Sequence, residues 1–312
     1  MVNRRTFIKS ASGAGLVGLS GMAGCIGTFG KQAYKDGKIK FLMSPTEPQE
    51  QMMAQYTPIK KRLNNYIDAI DTVNMKYASD YSATLTALDS GTADIAESGP
   101  FAAALGVKND RADIILQRHA YGTWTYYSVI ITREDSDISS LKELKGKTIA
   151  FADPLSASGS LYPLYMLKQA GLSIPESPGD PKGADFTPKW STHDKAYNAL
   201  KSGQADAAGV GRFIVWDYDT NDYVKGVKEL DIRSEIPRAP IMVSPKLADD
   251  EKEKITKAFT EAPDKMYYGA DGKQDTDDDI WFDGVKKADA STYQPVVKVA
   301  NKLGYGEDIF KN

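Results

Sequence analysis

The segment from Lys147 to Leu167, KTIAFADPLSASGSLYPLYML, constrains the chain more than any other. Lys147–Phe151 is a short, largely apolar run of the kind that forms a buried strand. From Gly159 onward, Leu161, Leu164, Tyr165 and Leu167 recur at helical spacing. The chain must therefore pass from strand to helix through a tight turn of small polar residues. Ser158 is placed to cap that helix, and Pro163 is tolerated because it falls in the first turns. Such a turn leaves backbone N–H groups unpaired at the positive end of the helix dipole, and the hydroxyls of Ser156 and Ser158 add donors. The arrangement suits an anion, a phosphate-like group above all. An ordinary strand–turn–helix connection with a serine cap has the same local sequence, so the rest of the chain must decide.

Strand and helix patterns alternate on both sides of this segment. Ile39–Met43 reads as a strand, Gln51–Ile67 as a helix, Thr72–Ala78 as a strand and Tyr81–Leu88 as a helix stopped near Gly91. Ala93–Ala96 is a buried strand, the turn Glu97-Ser98-Gly99-Pro100 opens a helix through Leu105, and Ile114–Gln117 closes the run. After the β-favouring stretch Thr123–Thr132 a second series follows: the strand Thr148–Phe151, a helix over 159–170, Phe186–Lys189, a helix His193–Lys201 and a strand Ala205–Val210. A late strand, Pro240–Val243, precedes a helix from Ala248 to Phe259, and residues 284–303 read as helical. This is an α/β chain whose two series and late return predict two mainly parallel-sheet lobes joined by crossing strands, with a cleft between them. The boundaries expected are 38–128 with 234–312 for one lobe and 129–233 for the other. Ligands of such sheets sit outside the carboxyl ends of the strands, where Glu97, Ser98 and Gly99 fall.

Composition narrows the chemistry. A net charge of −3 over 312 residues implies neither nucleic acid nor a bulk acidic partner. With one cysteine, Cys25, and two histidines, His119 and His193, disulfide scaffolds and multi-histidine metal sites are excluded, and no cofactor is called for. Ser139-Ser140-Leu141-Lys142 matches a bare serine-x-x-lysine pattern without its companion motifs, and neither a nucleophile elbow nor a phosphate-cradling P-loop is present. The acidic run Asp271–Asp279 lacks the glycine and glutamate spacing of a calcium loop and reads as a solvated loop. A binding protein is therefore expected rather than an enzyme. At the N-terminus, Arg4-Arg5 followed by Thr6-Phe7-Ile8-Lys9 resembles a twin-arginine export signal, and Met22-Ala23-Gly24-Cys25 after a weakly apolar run resembles a lipobox. The expectation is a signal over 1–25, a tether over 26–37, and a chain lipid-anchored through Cys25 at the outer face of the cytoplasmic membrane, periplasmic or extracellular.

The succession Tyr126-Tyr127-Ser128, Arg133 to Ile138, Leu144-Lys145-Gly146-Lys147, Phe151 to Gly159, Pro163, Ser191-Thr192-His193 and Gly203 to Ala208 resembles the phosphate/phosphite/phosphonate-binding proteins of ABC importers. Pro45, Pro48 and Ser98-Gly99-Pro100 extend the likeness, which covers roughly residues 38–262. It implies the two-lobed type II periplasmic-binding-protein fold, a monomer closing on a phosphonate, phosphite or phosphate, and an ABC permease with its ATPase as partners. It also implies that the oxyanion is held by the turn Ser156-Ala157-Ser158-Gly159, joined by His193 and by the tyrosines Tyr81 and Tyr127. Members that take aminoalkyl phosphonates hold the ammonium with a carboxylate just past the strand matching Ala205–Val210. This chain has Gly211-Arg212 there, which favours a ligand with extra negative charge; Glu97 and Asp217 are the acids that could substitute. A different small anion, or a sensor that presents its ligand to a membrane receptor, is the alternative.

Overall fold

The chain is described by a computed structural model over residues 37–46 and 49–306. Arg4, Arg5, Cys25 and the tether up to Asp36 lie outside the described residues. The strands are β1 Lys38–Met43, β2 Thr72–Tyr77, β3 Ile95–Glu97, β4 Asp113–His119, β5 Thr125–Arg133, β6 Thr148–Phe151, β7 Thr187–Trp190, β8 Ala207–Gly211, β9 Trp216–Asp217, β10 Asp222–Tyr223, β11 Val227–Pro237, β12 Pro240–Val243 and β13 Gly284–Lys287. The helices are α1 Gln49–Gln55, α2 Thr57–Tyr66, α3 Tyr81–Ser90, α4 Pro100–Lys108, α5 Tyr162–Gln169, α6 His193–Lys201, α7 Asp249–Thr260 and α8 Gln294–Leu303.

The strands form two lobes. In the first, the order is β13-β4-β12-β3-β1-β2, and in the second it is β11-β5-β8-β6-β7. Each sheet is parallel on one side, β3-β1-β2 and β8-β6-β7, and antiparallel on the other. The sheets are thus mixed rather than mainly parallel, because the crossing strands and the late return β12 enter with reversed direction. The crossings fall at 120–124, between β4 and β5, and at Arg238-Ala239, between β11 and β12. Two arginines fasten them to each other. Arg118 donates from Nε to the Ala239 carbonyl at 3.0 Å, and Arg238 donates from Nε to the Thr123 carbonyl at 2.9 Å.

Three departures from the pattern reading have local causes. The helix expected over 51–67 is two helices, because Pro58 lacks an N–H and its ring clashes with a continuing turn; it sits instead at the start of α2. The start of the stretch expected as helix over 284–303 is the edge strand β13, and helical backbone with α8 begins only after Asp289 caps the preceding turn, with Pro295 in α8's first turn. Strand β11 went unread because VKELDIRSEIP is rich in charge. It is an edge strand, bulged twice against β5, where charge blunts further pairing. The acidic run turns on itself: Asp278 and Asp279 accept from the backbone N–H groups of Asp271 and Asp275 at 3.0 and 2.7 Å. Among the described residues no cluster could hold a metal ion, and no helix is long and apolar enough to cross a membrane.

One core fills the first lobe around Ile39, Phe41, Met52, Ile59 and Phe259, and a smaller one lies under α6 in the second. A third joins α4 of the first lobe, α5 of the second and the C-terminal helix α8. Lys168 and Lys302 tie α5 to α8 through the Lys302 carbonyl and the Tyr165 hydroxyl. The C-terminal helix is therefore shared by both lobes.

Candidate functional site

The carboxyl ends of β3, β6, β7 and β8 converge on a cleft of about 210 Å³. Its walls include Ser98, Gly99 and Pro100 from the start of α4, Ser156 and Ser158 from the turn after β6, His193 from the start of α6, Arg118 from β4, and Arg238 and Ala239 from the second crossing. Tyr81, Tyr121, Tyr126, Phe213 and Trp281 supply an aromatic lining. Two helix N-termini thus reach one space with their unpaired N–H groups and dipoles.

The turn after β6 is a single π-helical turn, Ala157–Leu161, leading directly into α5. Its cap is Ser156 and not Ser158: the Ser156 Oγ accepts from the Gly159 N–H at 3.1 Å. The wider π turn shifts the cap two residues back and leaves Ser158 inside the turn. There its Oγ is buried without a hydrogen-bond partner, and across the cleft Ser98 Oγ is in the same condition. The backbone of Ser158 is held by the Ser128 hydroxyl, which donates to its carbonyl at 2.7 Å. Buried polar atoms are rarely left unpaired, so two serine hydroxyls on facing helix starts are what a polar guest would satisfy.

His193 orients Ser156. The Gly211 N–H donates to His193 Nδ1 at 3.1 Å, which makes Nδ1 the acceptor and places the ring proton on Nε2. That Nε2–H donates to Ser156 Oγ, also 3.1 Å away. The Ser156 oxygen accepts from both Gly159 and His193, so its two lone pairs are used and its own proton is left to donate into the cleft. Burial holds the His193 pKa down at about 4, so the ring is neutral at physiological pH. Both ring nitrogens are occupied within the protein, and His193 acts through Ser156.

Gly159 is required by close approach. A Cβ there would lie 2.3 Å from the Ala152 Cβ and 2.7 Å from His193 Cε1. Gly159→Ala is expected to lower stability by about 1–3 kcal/mol through overpacking, read as a shift in the urea midpoint. No shift would show that the turn can relax away from His193.

Of the other expected residues, Tyr81, Ser98 and Gly99 line the cleft, and Ala157 is buried in the turn without lining it. Tyr127 does not line it. Strand alternation turns Tyr127 away, and its ring lies 3.9 Å from the Arg212 guanidinium carbon; the cleft tyrosine is Tyr126, on the same face as Ser128. Arg212 is held between Tyr127 and Trp216 and does not line the cleft either. Glu97 sits behind the wall, paired with Arg118, hydrogen-bonded by the Tyr56 hydroxyl, and accepting from the Ser44 N–H at 3.3 Å. Asp217 accepts from the N–H groups of Asp219 and Thr220 and lines no part of the cleft. Among the described residues no aspartate or glutamate does. The residues missed by sequence reasoning are Arg118, Tyr126 and Arg238. Tyr126 could have been found from its two-residue offset to Ser128, whereas the arginines carry no local motif. The lobes also touch at the rim, where the Tyr81 N–H donates to Asp153 at 3.3 Å.

Known proteins share this fold. Residues 41–293 match the family model described as ABC transporter, phosphonate, periplasmic substrate-binding protein. A phosphate-import protein, PhnD, of Mycolicibacterium smegmatis is 31% identical over 168 residues, 52% of this chain and 51% of that one, so the match spans about half the length of that curated relative. A binding-protein component of an ABC phosphonate transporter from Pseudomonas aeruginosa shares the fold with a TM-score of 0.67 at 23% identity, over 86% of each chain. PhnD1 of Prochlorococcus marinus, solved with methylphosphonate, does so with a TM-score of 0.66 at 16% identity, over 86% of this chain and 98% of that one. With its two-lobed fold and a family match covering most of its length, the chain belongs to the periplasmic phosphonate-binding family of ABC transporter substrate-binding proteins.

Proposed function

We propose that the chain is the substrate-binding component of an ABC importer, capturing a phosphorus oxyanion between its lobes and delivering it to a permease and its ATPase. The observation that carries this reading is the pair of facing helix starts, each with a buried, unpartnered serine hydroxyl, Ser98 on α4 and Ser158 on the turn into α5. A tetrahedral oxyanion matches convergent donors of this kind, and the Ser156 proton adds a further one. Closure is then a population shift, because a ligand bridging the two helix starts binds the closed form better than the open one.

Titration calorimetry with phosphate, phosphite and methylphosphonate, with sulfate as control, tests the class. Ser158→Ala is expected to weaken the preferred ligand by about 1.5–3 kcal/mol, the range for a hydrogen bond to a charged group. Unchanged affinity in that variant would remove the turn from the site. The finer choice among phosphorus ligands follows from the acids. Glu97 is engaged with Arg118 behind the wall and, among the described residues, no carboxylate lines the cleft, so the ammonium of an aminoalkyl phosphonate finds no counter-ion among them.

The N-terminal motif supports the further reading that the protein is exported by the twin-arginine route and anchored by lipid on Cys25. Cys25→Ser should leave ligand affinity unchanged and move the protein from the membrane fraction to the soluble one. A variant that stays with the membrane would end the anchoring proposal.

A further inference from the structure

Two arginines line the cleft, and their surroundings differ. Arg118 is met inside the protein by Glu97, both of them 1% exposed. Arg238 is 5% exposed, and among the described residues no carboxylate lies within ion-pair distance of it. Its position is fixed. Nε donates to the Thr123 carbonyl, its backbone N–H donates to the Trp124 carbonyl at 3.0 Å, and its own carbonyl accepts from the Tyr293 hydroxyl at 2.8 Å. The rings of Tyr121 and Tyr126 stand 5.3 and 5.8 Å from the guanidinium carbon. Those rings offer faces and hydroxyls but no formal negative charge.

A buried guanidinium without an acid is costly unless something else compensates it. Among the described residues the cleft wall contributes no acid, and Asp283, which acts on the guanidinium from beyond ion-pair distance, is itself paired with His119, so an acid at contact distance has to come with the ligand. Size points the same way. A water-sized group takes roughly 10–15 Å³ of such space. A cleft of about 210 Å³ therefore holds more than the five heavy atoms of one tetrahedral oxyanion. The donors at Ser156, Ser158 and Ser98 and the cation at Arg238 belong to different elements, two helix starts and a lobe crossing. The aromatic lining of Tyr81, Tyr126 and Phe213 belongs to the same cleft.

We infer that the ligand carries two acidic groups: a phosphonate or phosphate head for the Ser156–Gly159 turn, and a second anionic group, carboxylate or phosphorus oxyanion, that pairs with Arg238. The groups are joined by a short apolar spacer against the aromatic wall. This rests on the proposed phosphorus-oxyanion function and narrows its substrate class. Arg238 also repels an ammonium at the same place, which reverses the preference expected of a cleft built for aminoalkyl phosphonates. A planar guanidinium takes a carboxylate or phosphorus oxyanion through two parallel hydrogen bonds, so the second group fixes both the length and the orientation of the ligand.

The test is calorimetric titration of the full chain with phosphonoacetate, 3-phosphonopropionate and methylenebisphosphonate, set against ethylphosphonate, propylphosphonate and 2-aminoethylphosphonate. At least one of the diacids is expected to bind about tenfold or more tighter than the alkylphosphonate of matching length, and 2-aminoethylphosphonate weakest of all. Whether the best diacid ends in a carboxylate or a second phosphonate names the second group. In Arg238→Gln the diacid and the alkylphosphonate should come within about threefold of each other, while Arg238→Lys, which keeps the charge but not the paired donors, retains part of the preference. Diacids that bind no better than alkylphosphonates overturn the inference and leave the phosphorus-oxyanion function standing. If no phosphonate or phosphate binds at all, that function falls and this inference with it. Because Arg238 also fastens the crossing, a variant that fails to fold leaves the decision to the wild-type ligand comparison, which needs no substitution.

Discussion

Replacing Glu97 with alanine should lower the unfolding free energy by about 3–5 kcal/mol, the cost of leaving a buried charge without its partner. Glu97 lies at the end of β3, immediately before the helix start that carries Ser98 and Gly99. Its carboxylate accepts from Arg118, from the Tyr56 hydroxyl and from the Ser44 backbone, and it is almost fully buried. Removing it strands the guanidinium between the rings of Trp281 and Phe282, 4.4 and 5.3 Å from its carbon. The check is urea unfolding of Glu97→Ala, Arg118→Met and the double variant. The two changes should couple strongly, with the double variant recovering part of the loss in Glu97→Ala, because removing both charges also removes the desolvation cost of the survivor. Additive losses would mean that the pair does not hold the wall. The same pair explains why two arginines in one cleft are not equivalent: Glu97 cancels Arg118, whereas among the described residues no acid lies within ion-pair distance of Arg238.

That distinction could not be read from the sequence. The fold was legible, because the strand and helix patterns of 148–151, 193–201 and 240–243 depend on local periodicity and survive in the structure residue for residue. The turn at 156–159 was legible for the same reason, since small residues between a buried strand and an amphipathic helix have few alternatives. What failed depended on register or on distant partners. Tyr126 and Tyr127 are adjacent and chemically alike, and only the pairing of β5 with β8, Ser128 opposite Gly211, decides which of them faces the cleft. Glu97 stands at a strand end where a ligand contact would be expected, but its partner Arg118 is 21 residues away on a strand that is not its direct neighbour. Arg238 lies in a Pro-rich connection, Ile236-Pro237-Arg238-Ala239-Pro240, and carries no local motif. Its importance comes from the crossing that this connection forms. Ser158 was read as the cap because an α-helix was assumed, whereas the π turn hands that role to Ser156.

Acid should destabilise the folded protein through His193, by about 2 kcal/mol between pH 7 and pH 5 and roughly 3 kcal/mol by pH 4. Burial depresses the folded-state pKa of His193 to about 4, against an ordinary value of 6.5. Between those values the unfolded chain binds the proton and the folded one does not, so stability is complete above pH 6.5 and falls as the pH drops towards 4. Asp94 and Asp153 work in the opposite direction, because burial raises their carboxyl pKa values and the folded state then gains as the pH falls. The informative quantity is therefore the difference in pH dependence between wild type and His193→Gln, measured by urea unfolding at several pH values. Wild type should lose more stability than the variant over this range; identical slopes would show that the ring is not held neutral. Ligand affinity should fall only as the pH approaches 4, where the folded ring itself begins to take up the proton. A proton on Nδ1 would set an N–H against the Gly211 N–H, push the ring from its place and release Ser156, whose own hydroxyl would no longer be obliged to donate into the cleft. The residue that orients the anion-binding turn is in this way also the one through which acid would open it.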